Sequence, residues 1–192
     1  MSVQNKIRFA VVGCGHIGKR HAQMIRENEE SELVALVDTV PASELGIAHF
    51  EEPFFSSLEE LLASEEGKTV DVVNIATPNG WHARHAMTCL NAQKHVVIEK
   101  PMTLSRSDAE AVIYRSLQER RNVFTVMQNR YSPPIKWMKQ LIKDKVLGKI
   151  FMVQIDCYWN RDARYYVPES WHGKRELDGG TLFTQFSHFI DI

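Results

Sequence analysis

Apolar segments of strand length alternate with amphipathic segments of helix length over most of the chain. The apolar segments are short and rich in β-branched residues, and they predict six strands, at residues 7–12, 33–37, 52–55, 70–76, 95–98 and 123–127. The intervening segments repeat apolar residues at helical spacing and predict helices at residues 17–27, 41–46, 58–63, 81–90 and 105–120. Strands that are apolar throughout are typical of a parallel sheet covered by helices on both faces. The pattern therefore predicts an α/β fold with a doubly wound parallel sheet.

The pattern changes after Pro133-Pro134, and we place a domain boundary within residues 128–148. Two further helices are predicted, at residues 135–143 and 181–192. Residues 149–159 partly alternate polar and apolar side chains, which is typical of a half-exposed antiparallel strand. One strand cannot form a sheet by itself. We therefore expect residues 1–128 to form the first domain and residues 129–192 to be the start of an incomplete, truncated α+β domain.

Composition and charge exclude several classes of protein. The chain has 192 residues and a formal net charge of −1, so it lacks the basic field that a nucleic-acid-binding protein needs. No apolar run approaches the roughly 20 residues that span a bilayer, and the polar start at residues 1–6 is unlike a signal peptide. The cysteines, Cys14, Cys89 and Cys157, are too scattered for a disulfide framework, and the histidines lack metal-ligand company. We expect a cytoplasmic protein with reduced thiols, no metal, and no nucleic-acid or membrane partner.

A glycine-rich loop follows the first predicted strand. The sequence Gly-Cys-Gly-His-Ile-Gly begins at Gly13 and opens the first predicted helix, as in a dinucleotide-binding G-x-G-x-x-G loop. In such a loop Gly13 permits a tight turn, Gly15 lets the backbone approach a pyrophosphate, and Gly18 lets the helix lie close to the strand. The helix start at His16 and Ile17 would present its N–H groups to the phosphates. A coincidental strand–turn–helix is the alternative interpretation.

Asp38 lies twenty residues after the last glycine of this loop, at the end of the second predicted strand. A carboxylate at this point of a Rossmann fold accepts hydrogen bonds from the ribose hydroxyls of the adenosine. The 2′-phosphate of NADP would meet its negative charge. The sequence therefore predicts that the cofactor is NAD rather than NADP.

The fourth predicted strand ends in Thr77-Pro78-Asn79, with His82 three residues further on. Open α/β sheets bind ligands at the carboxyl ends of their strands, so this turn is predicted to contact the cofactor. Asn79 could also be the N-cap of the next helix, and the two roles are compatible.

The fifth predicted strand ends in Glu99-Lys100-Pro101 at the same edge of the sheet. A lysine held between a carboxylate and a proline at a ligand-facing edge is a plausible catalytic donor. The alternative is that Lys100 is simply a solvated charge.

These motifs together resemble the Gfo/Idh/MocA oxidoreductase family, and the resemblance extends over the whole chain. The sequence Gln-Asn-Arg-Tyr-Ser-Pro that starts at Gln128 is similar to the family's R-[FY]-x-P segment. Gly179 and Gly180, followed by His188 and Asp191, are similar to its G-G-x-L-x-D-x-x-x-H-x-x-D helix. The resemblance implies a Rossmann domain that binds NAD, followed by a substrate domain, in a protein that forms homo-oligomers.

The motifs and the resemblance together predict a set of site residues. His188 is expected to be the general base on the reacting hydroxyl, and Lys100 to hydrogen-bond the same oxygen, with a Lys100–Pro101 peptide bond that is often cis in the family. Cofactor contacts are expected at Gly13, Gly15, His16, Ile17, Gly18, Asp38, Thr77, Pro78, Asn79, His82, Glu99, Lys100 and Gln128. Substrate contacts are expected at Lys100, Arg130, Arg164, Trp171, Thr184 and His188.

One departure from the family pattern changes the expected chemistry. The family's usual aspartate, four residues before the helix histidine, is Thr184 here, and Phe186 replaces a glycine. A subgroup that oxidises the C3 hydroxyl of UDP-N-acetylglucosaminuronate also lacks that aspartate. Residues 165–174 resemble its W-Y-x-x-S-W-K-G segment, with His172 in place of lysine. The alternative is that these aromatic side chains only cover a sheet.

We therefore expect an NAD-dependent dehydrogenase that acts on a secondary hydroxyl of a sugar or nucleotide sugar. The best match is C3 of a UDP-N-acetylhexosaminuronate. A dehydrogenase of a free sugar or inositol, and a non-catalytic NAD-responsive regulator of the same fold, are the alternatives. The presence of both Lys100 and His188 argues against a regulator. If the chain is truncated, we expect it to bind NAD but to turn over poorly or not at all.

Overall fold

The structure, a computed structural model, describes residues 6–192. The expectation that the polar start at residues 1–6 is not a signal peptide therefore falls almost entirely outside the described residues. Six strands form one sheet: β1 (Ile7–Val12), β2 (Ser31–Val37), β3 (Phe54–Phe55), β4 (Val72–Ile75), β5 (His95–Ile98) and β6 (Val123–Thr125). All pairs are parallel, and the order is β3-β2-β1-β4-β5-β6. The prediction of a doubly wound α/β sheet is confirmed.

Helices connect and follow the strands. Within residues 6–192 these are α1 (His16–Glu27), α2 (Ala42–Leu45), α3 (Leu58–Ala63), α4 (Glu65–Thr69), α5 (His82–Asn91), α6 (Arg106–Glu119), α7 (Pro133–Lys143), α8 (Arg175–Asp178), α9 (Thr181–Thr184) and α10 (Ser187–Asp191). Short 3-10 turns occupy Asn79–Trp81 and Gln128–Tyr131. No helix in the described part of the chain is long and apolar enough to cross a membrane.

Serine side chains define the beginning of several helices. Ser57, Ser64 and Ser105 each accept a hydrogen bond from the backbone N–H three residues further on, at 3.0–3.1 Å. This satisfies one of the N–H groups that the first helical turn leaves unpaired. The cap at Ser64 begins α4, a short helix that the sequence did not predict.

The sheet is buried on both faces. Val11 belongs to a cluster with α1 and α2 that includes Ala22 and Ile25. Its neighbours Ala10 and Val12 belong to the other cluster, which includes residues of α3, α5 and α6. Successive side chains of a strand point to opposite faces, so a strand covered on both sides must be apolar at every position. This explains the uninterrupted apolar runs in the sequence.

The predicted antiparallel strand at residues 149–159 is wrong in this structure. Residues 150–160 have no regular secondary structure, and Phe151, Met152 and Tyr158 are 84%, 80% and 94% exposed. Alternation of polar and apolar residues is a signal for a half-buried strand, but a strand also needs a neighbour for its hydrogen bonds. No strand of the described residues pairs with this segment.

The predicted final helix at residues 181–192 is interrupted. It consists of α9 and α10, separated at Gln185 and Phe186. The N–H of Phe186 donates to the carbonyl oxygen of Thr181, five residues earlier, at 3.0 Å. This wider turn breaks the regular pattern of α-helical hydrogen bonds. The break places Thr184 and His188 on two helices rather than one.

Candidate functional site

A cavity of about 590 Å³ lies at the carboxyl ends of β1, β2 and β4. The connections from β1 and β4 leave this edge in opposite directions, since β1 leads to β2 on one side and β4 to β5 on the other. Such a switch point is where open α/β sheets bind ligands. The lining includes Gly13, Gly15, Asp38, Thr77, Pro78 and Trp171.

The glycine loop has the geometry of a phosphate cradle. Gly13 has φ +91°, and a Cβ there would lie 2.7 Å from backbone atoms of Ala76. A Cβ on Gly18 would lie 1.7 Å from the carbonyl oxygen of Gly13, so the helix can approach the loop only without a side chain. A Cβ on Gly15 would meet no atom within 4 Å, so this glycine faces open space. Gly13 and Gly15 both line the cavity, but of the three glycines only Gly15 has open space where a side chain would be, which fits a dinucleotide pyrophosphate.

The start of α1 has unpaired donors. Its N-cap, Gly15, has no side chain with which to cap the first turn. The first N–H groups of a helix without such a cap are free to bind an anion. His16 and Ile17 are exposed, and Ile17 lines a different hollow, together with His21 and Met24 of α1. The backbone N–H groups of His16 and Ile17 are placed for the expected contact with the cofactor, but the Ile17 side chain does not line the glycine-loop cavity.

The Asp38 carboxylate ties the glycine loop to the end of β2. One oxygen accepts the N–H of Cys14 at 2.6 Å, and the other accepts the N–H of Val40 at 2.9 Å. Each carboxylate oxygen can accept a further hydrogen bond, so ribose hydroxyls can still bind. Burial, with a smaller contribution from Asp38, raises the pKa of the Cys14 thiol to about 12. Cys14 is therefore a neutral thiol that packs under the loop.

The Thr77-Pro78-Asn79 turn has two roles, because its first two residues line the cavity and its third bonds the C-terminal part of the chain. Thr77 and Pro78 line the cavity, and the Thr77 hydroxyl lies 3.2 Å from Nδ1 of His85. Asn79 is 5% exposed, and its amide donates to the carbonyl oxygen of Asp178 at 2.9 Å. The alternative role of Asn79 as N-cap of α5 is wrong, since Trp81 occupies that position. Asn79 instead joins the turn to the C-terminal part of the chain.

His82 is fully buried behind this turn. Its ring nitrogens lie 2.7 Å from the carbonyl oxygen of Pro101 and 2.8 Å from that of Thr77. Burial is the largest effect and lowers the pKa of His82, against the two carbonyl groups that raise it. His82 therefore connects the ends of β4 and β5, and in this structure it does not line the cavity.

Lys100 follows β5 at the same edge, and the Lys100–Pro101 peptide bond is cis, as expected. The Lys100 amino group donates to the backbone carbonyl oxygen of Thr184. Burial lowers the pKa of Lys100, and the neighbouring Glu99 carboxylate opposes that effect. An ammonium group has three donors, so one bond to Thr184 leaves others for a substrate oxygen.

His188 belongs to α10 and lies near Lys100. It is 8% exposed, and its Nδ1 is buried without a hydrogen-bond partner among the described residues. Burial, and then the positive charge of Lys100, lowers the pKa of His188. The imidazole is therefore neutral at neutral pH and can accept a proton, as a general base requires.

Three residues of this region were not predicted from the sequence. His21 of α1 lies 2.9 Å from a carboxylate oxygen of Glu99, whose other oxygen accepts the N–H of Lys100 at 3.1 Å. Asp178 is 4% exposed and contacts Thr184, and Arg161 stacks on the Tyr165 ring at 4.4 Å. The signal for His21 was its helical spacing from the buried Gly18 and Ile25, which places it on the inner face of α1. Asp178 and Arg161 lie in segments without periodicity, so the pattern offered no signal for them.

Several expected contacts lie outside the lining of the glycine-loop cavity. Arg130 pairs with Asp191, and the Arg164 guanidinium, in a side chain that is 92% exposed, bonds Asp162 beside it. Gln128 lines a second hollow of about 550 Å³, together with His21 and Glu99. These three residues have no place in the lining of the glycine-loop cavity.

Residues 6–192 contain no group of three or more His, Cys, Asp or Glu side chains that could hold a metal ion. The polar groups at the strand ends are instead backbone amides and hydroxyls that can donate hydrogen bonds and one carboxylate that accepts them, as a nucleotide requires. The doubly wound sheet, the open glycine loop at its switch point and Asp38 on β2 define a dinucleotide-binding domain.

The chain belongs to the Gfo/Idh/MocA oxidoreductase family. The family's NAD-binding Rossmann fold matches residues 7–128, and the GFO/IDH/MocA C-terminal domain matches residues 135–192. Among curated relatives, the scyllo-inositol 2-dehydrogenase (NADP⁺) IolW of Bacillus subtilis is 33% identical over 70% of this chain and 37% of its own length. The chain spans about half the length of the curated relatives it matches.

Two solved structures have closely similar folds. The WlbA dehydrogenase of Chromobacterium violaceum, in complex with NADH and UDP-GlcNAcA, is 31% identical with a TM-score of 0.91, over 100% of this chain and 55% of that one. The WlbA dehydrogenase of Bordetella pertussis, with the same two ligands, is 35% identical with a TM-score of 0.91, over 97% and 54%. Both likenesses include the C-terminal residues of this chain as well as its Rossmann domain.

Proposed function

We propose that the protein carrying this chain transfers a hydride between NAD and a secondary hydroxyl of a sugar. The observation that carries the proposal is the proximity of Lys100 and His188 just beyond the carboxyl end of β5, where the Lys100 amino group donates to the carbonyl oxygen of Thr184, four residues before His188. They lie on different parts of the chain, yet the charge of Lys100 lowers the pKa of His188. Two groups suited to handle a hydroxyl proton thus meet at the edge where the cofactor would bind.

The residues of this chain divide the work with the cofactor. When bound, NAD supplies the hydride acceptor. His188, neutral because of its burial, takes the proton of the substrate hydroxyl. Lys100 donates a hydrogen bond to the same oxygen and stabilises the negative charge that develops there. The glycine loop and Asp38 position the cofactor, so that the carbon bearing the hydroxyl and the hydride acceptor meet in one orientation.

We further propose that the substrate is a UDP-N-acetylhexosaminuronate, oxidised at C3. The likeness to two dehydrogenases that bind NADH and UDP-GlcNAcA supports this choice. The position of Trp171 in the cavity lining also supports it, because the aromatic segment at residues 165–174 is the part of the sequence that resembles the nucleotide-sugar subgroup. A free sugar or inositol is the second candidate, favoured by the identity to the inositol dehydrogenase.

The first experiment measures reduction of the cofactor by the full-length protein, with NAD or NADP and four substrates. These are UDP-N-acetylglucosaminuronate, UDP-glucuronate, glucose and inositol. We expect turnover with the UDP-uronates and NAD. Turnover with free sugars alone would exclude the nucleotide-sugar assignment, and faster turnover with NADP would contradict the role of Asp38. No turnover with any substrate, despite tight NAD binding, would favour a regulator.

Lys100→Ala tests the catalytic assignment. We expect turnover to fall by about 100-fold or more, because the variant loses the donor to the reacting oxygen. Lys139→Ala on α7 is the matched control, since it removes an exposed lysine outside the cavity lining. Turnover of Lys100→Ala within about tenfold of the wild type would show that the assignment is wrong.

A further inference from the structure

The chain has a buried carboxylate next to Thr184, the position where the family pattern has an aspartate. Asp178 lies at the end of α8 and is 4% exposed, and Thr184 is 8% exposed. The Thr184 hydroxyl contacts an Asp178 carboxylate oxygen. The same hydroxyl also lies 3.1 Å from the Asp178 carbonyl oxygen and 3.0 Å from that of Gly180. A hydroxyl has one hydrogen to donate, and a carboxylate is its strongest acceptor here.

Asp178 is held from several sides. Its second carboxylate oxygen accepts the N–H of Gly173 at 2.6 Å, and its carbonyl oxygen accepts the Asn79 amide at 2.9 Å. Asn79 belongs to the turn that lines the cofactor cavity. Asp178 is thus a junction between that turn and the segment that carries Thr184. A buried carboxylate with this many partners has a single orientation.

Lys100 is attached to this junction through the backbone of Thr184. The Lys100 amino group donates to the Thr184 carbonyl oxygen, while the Thr184 side chain donates to Asp178. The other charged or titratable groups whose charge acts on Lys100 or is affected by it are Glu99, Arg161, His82 and His188. Of the charges that act on Lys100, Glu99 and Asp178 are negative and favour its ammonium form, whereas Arg161 is a second cation that opposes them.

We propose that Asp178 is a positioning residue for hydride transfer, which through the Thr184 hydroxyl fixes the carbonyl group that orients Lys100. Its negative charge also favours the ammonium form of Lys100, against the opposing charge of Arg161. The family pattern has an aspartate at position 184, and in this chain Asp178 of α8 supplies a carboxylate beside that position instead. This inference rests on the proposed function of Lys100.

The test measures the titration of Lys100 directly, so that it does not depend on turnover. The full-length protein is labelled with acetic anhydride over a range of pH, and acetylation of Lys100 is followed by mass spectrometry. The variants are Asp178→Asn, which keeps the shape but removes the charge, and Asp144→Asn as a control. Asp144 is an exposed carboxylate at the C-cap of α7 and accepts a hydrogen bond from the Gln140 amide at 2.8 Å.

We expect Asp178→Asn to lower the pKa of Lys100 measurably, because a nearby negative charge favours the ammonium form. Asp144→Asn should leave it unchanged. With a substrate that turns over, the loss of activity at high pH should move to lower pH by the same amount. An unchanged Lys100 titration in folded Asp178→Asn would overturn the inference. Failure of every substrate would count against the proposed function and leave this measurement valid.

Thr184→Val and Thr184→Ser form a second pair of variants. They test the role of the Thr184 hydroxyl even if Asp178→Asn does not fold. Thr184→Val removes the hydroxyl bridge at similar volume, and Thr184→Ser retains it. We expect Lys100 in Thr184→Val to react with the reagent at least about twofold faster than in the wild type, since its amino group is no longer held. Thr184→Ser should react at the wild-type rate. Equal rates in all three proteins would overturn the inference.

Discussion

Lys100 and His188 share one environment, and burial is the largest cause of the lowered pKa of each. The two groups also affect one another, since the charge of Lys100 adds to the effect of burial on His188. The carboxylates that act on His188 are Glu99 and Asp191, and both favour the imidazolium form. A general base and a cationic donor can therefore coexist here at neutral pH, with His188 neutral and Lys100 partnered by Glu99.

This coupling predicts how His188 titrates. The wild-type pKa of His188 should lie below the ordinary value of about 6.5. Replacement of Lys100 by methionine should raise it, because the repelling charge disappears while burial remains. NMR titration of the histidine ring protons measures this, with the His188 signal identified by its absence in His188→Asn. A pKa that stays the same or falls in Lys100→Met would contradict the proximity that carries the proposed function.

The pH dependence of turnover follows from the same direction. The base must be unprotonated, so activity should fall on acidification only below the lowered pKa of His188. The acidic limb of the pH profile should therefore be centred below about pH 6.5, the ordinary pKa of a histidine. An acidic limb centred above that pH would show that a different group is the base.

At the scale of elements, the unit formed by β1, the glycine loop and α1 makes the cofactor site. Gly15 and Gly18 belong to the same loop and helix but face different surroundings. Gly18 lies against the Gly13 carbonyl group, whereas Gly15 faces the cavity. One glycine is required by packing and the other by the ligand.

Gly15→Ala and Gly18→Ala should therefore behave differently. Gly15→Ala should leave the free energy of unfolding nearly unchanged and weaken NAD binding by about tenfold or more, since a methyl group would occupy the space beside the pyrophosphate. Gly18→Ala should lower the free energy of unfolding by about 1–3 kcal/mol, because its Cβ would overlap the Gly13 carbonyl oxygen. Urea unfolding and calorimetric titration with NAD measure the two effects. Equal losses of stability in both variants would contradict this division.

The elements of the sheet could be predicted from the sequence because their signals are local. β1 and β5 begin and end where the apolar runs do, and Leu58–Ala63 matches its prediction since Ser57 caps it. The segment at residues 149–159 could not be predicted correctly, because a strand depends on a partner that alternation does not reveal. The break at Gln185 could not be predicted either, since it results from one backbone hydrogen bond, from Phe186 to Thr181, that spans five residues instead of four.

At the scale of the whole molecule, burial of histidines links folding to pH. The pKa values of His82, His85, His172 and His188 are all lowered, with burial as the largest cause. Below about pH 6.5 the unfolded chain binds protons at these sites, while the folded chain does not until lower pH. The contribution of these neutral histidines to the free energy of unfolding is therefore fully present above that pH. It is lost as the pH falls towards their lowered pKa values in the folded protein.

We expect the free energy of unfolding to decrease between about pH 7.5 and about pH 5.5, because the unfolded chain binds protons at these histidines before the folded chain does. Urea unfolding at both pH values measures the change. His82→Gln should be less stable at neutral pH, because it loses buried contacts, but its stability should depend less steeply on pH. A wild-type protein that is equally stable at both pH values would show that these histidines are not held neutral.

The sequence by itself determined the sheet, the glycine loop and the position of Asp38, because each depends on residues that are neighbours along the chain. Tertiary structure decided which side chains meet. His21 and Glu99 are separated by 78 residues, Lys100 and Thr184 by 84, and Asn79 and Asp178 by 99. Local periodicity reports which face of an element is buried, but it contains no information about the partner across that face. The roles of Asn79, His82 and Asp178 therefore became visible only when packing brought the ends of β4, β5 and α8 together.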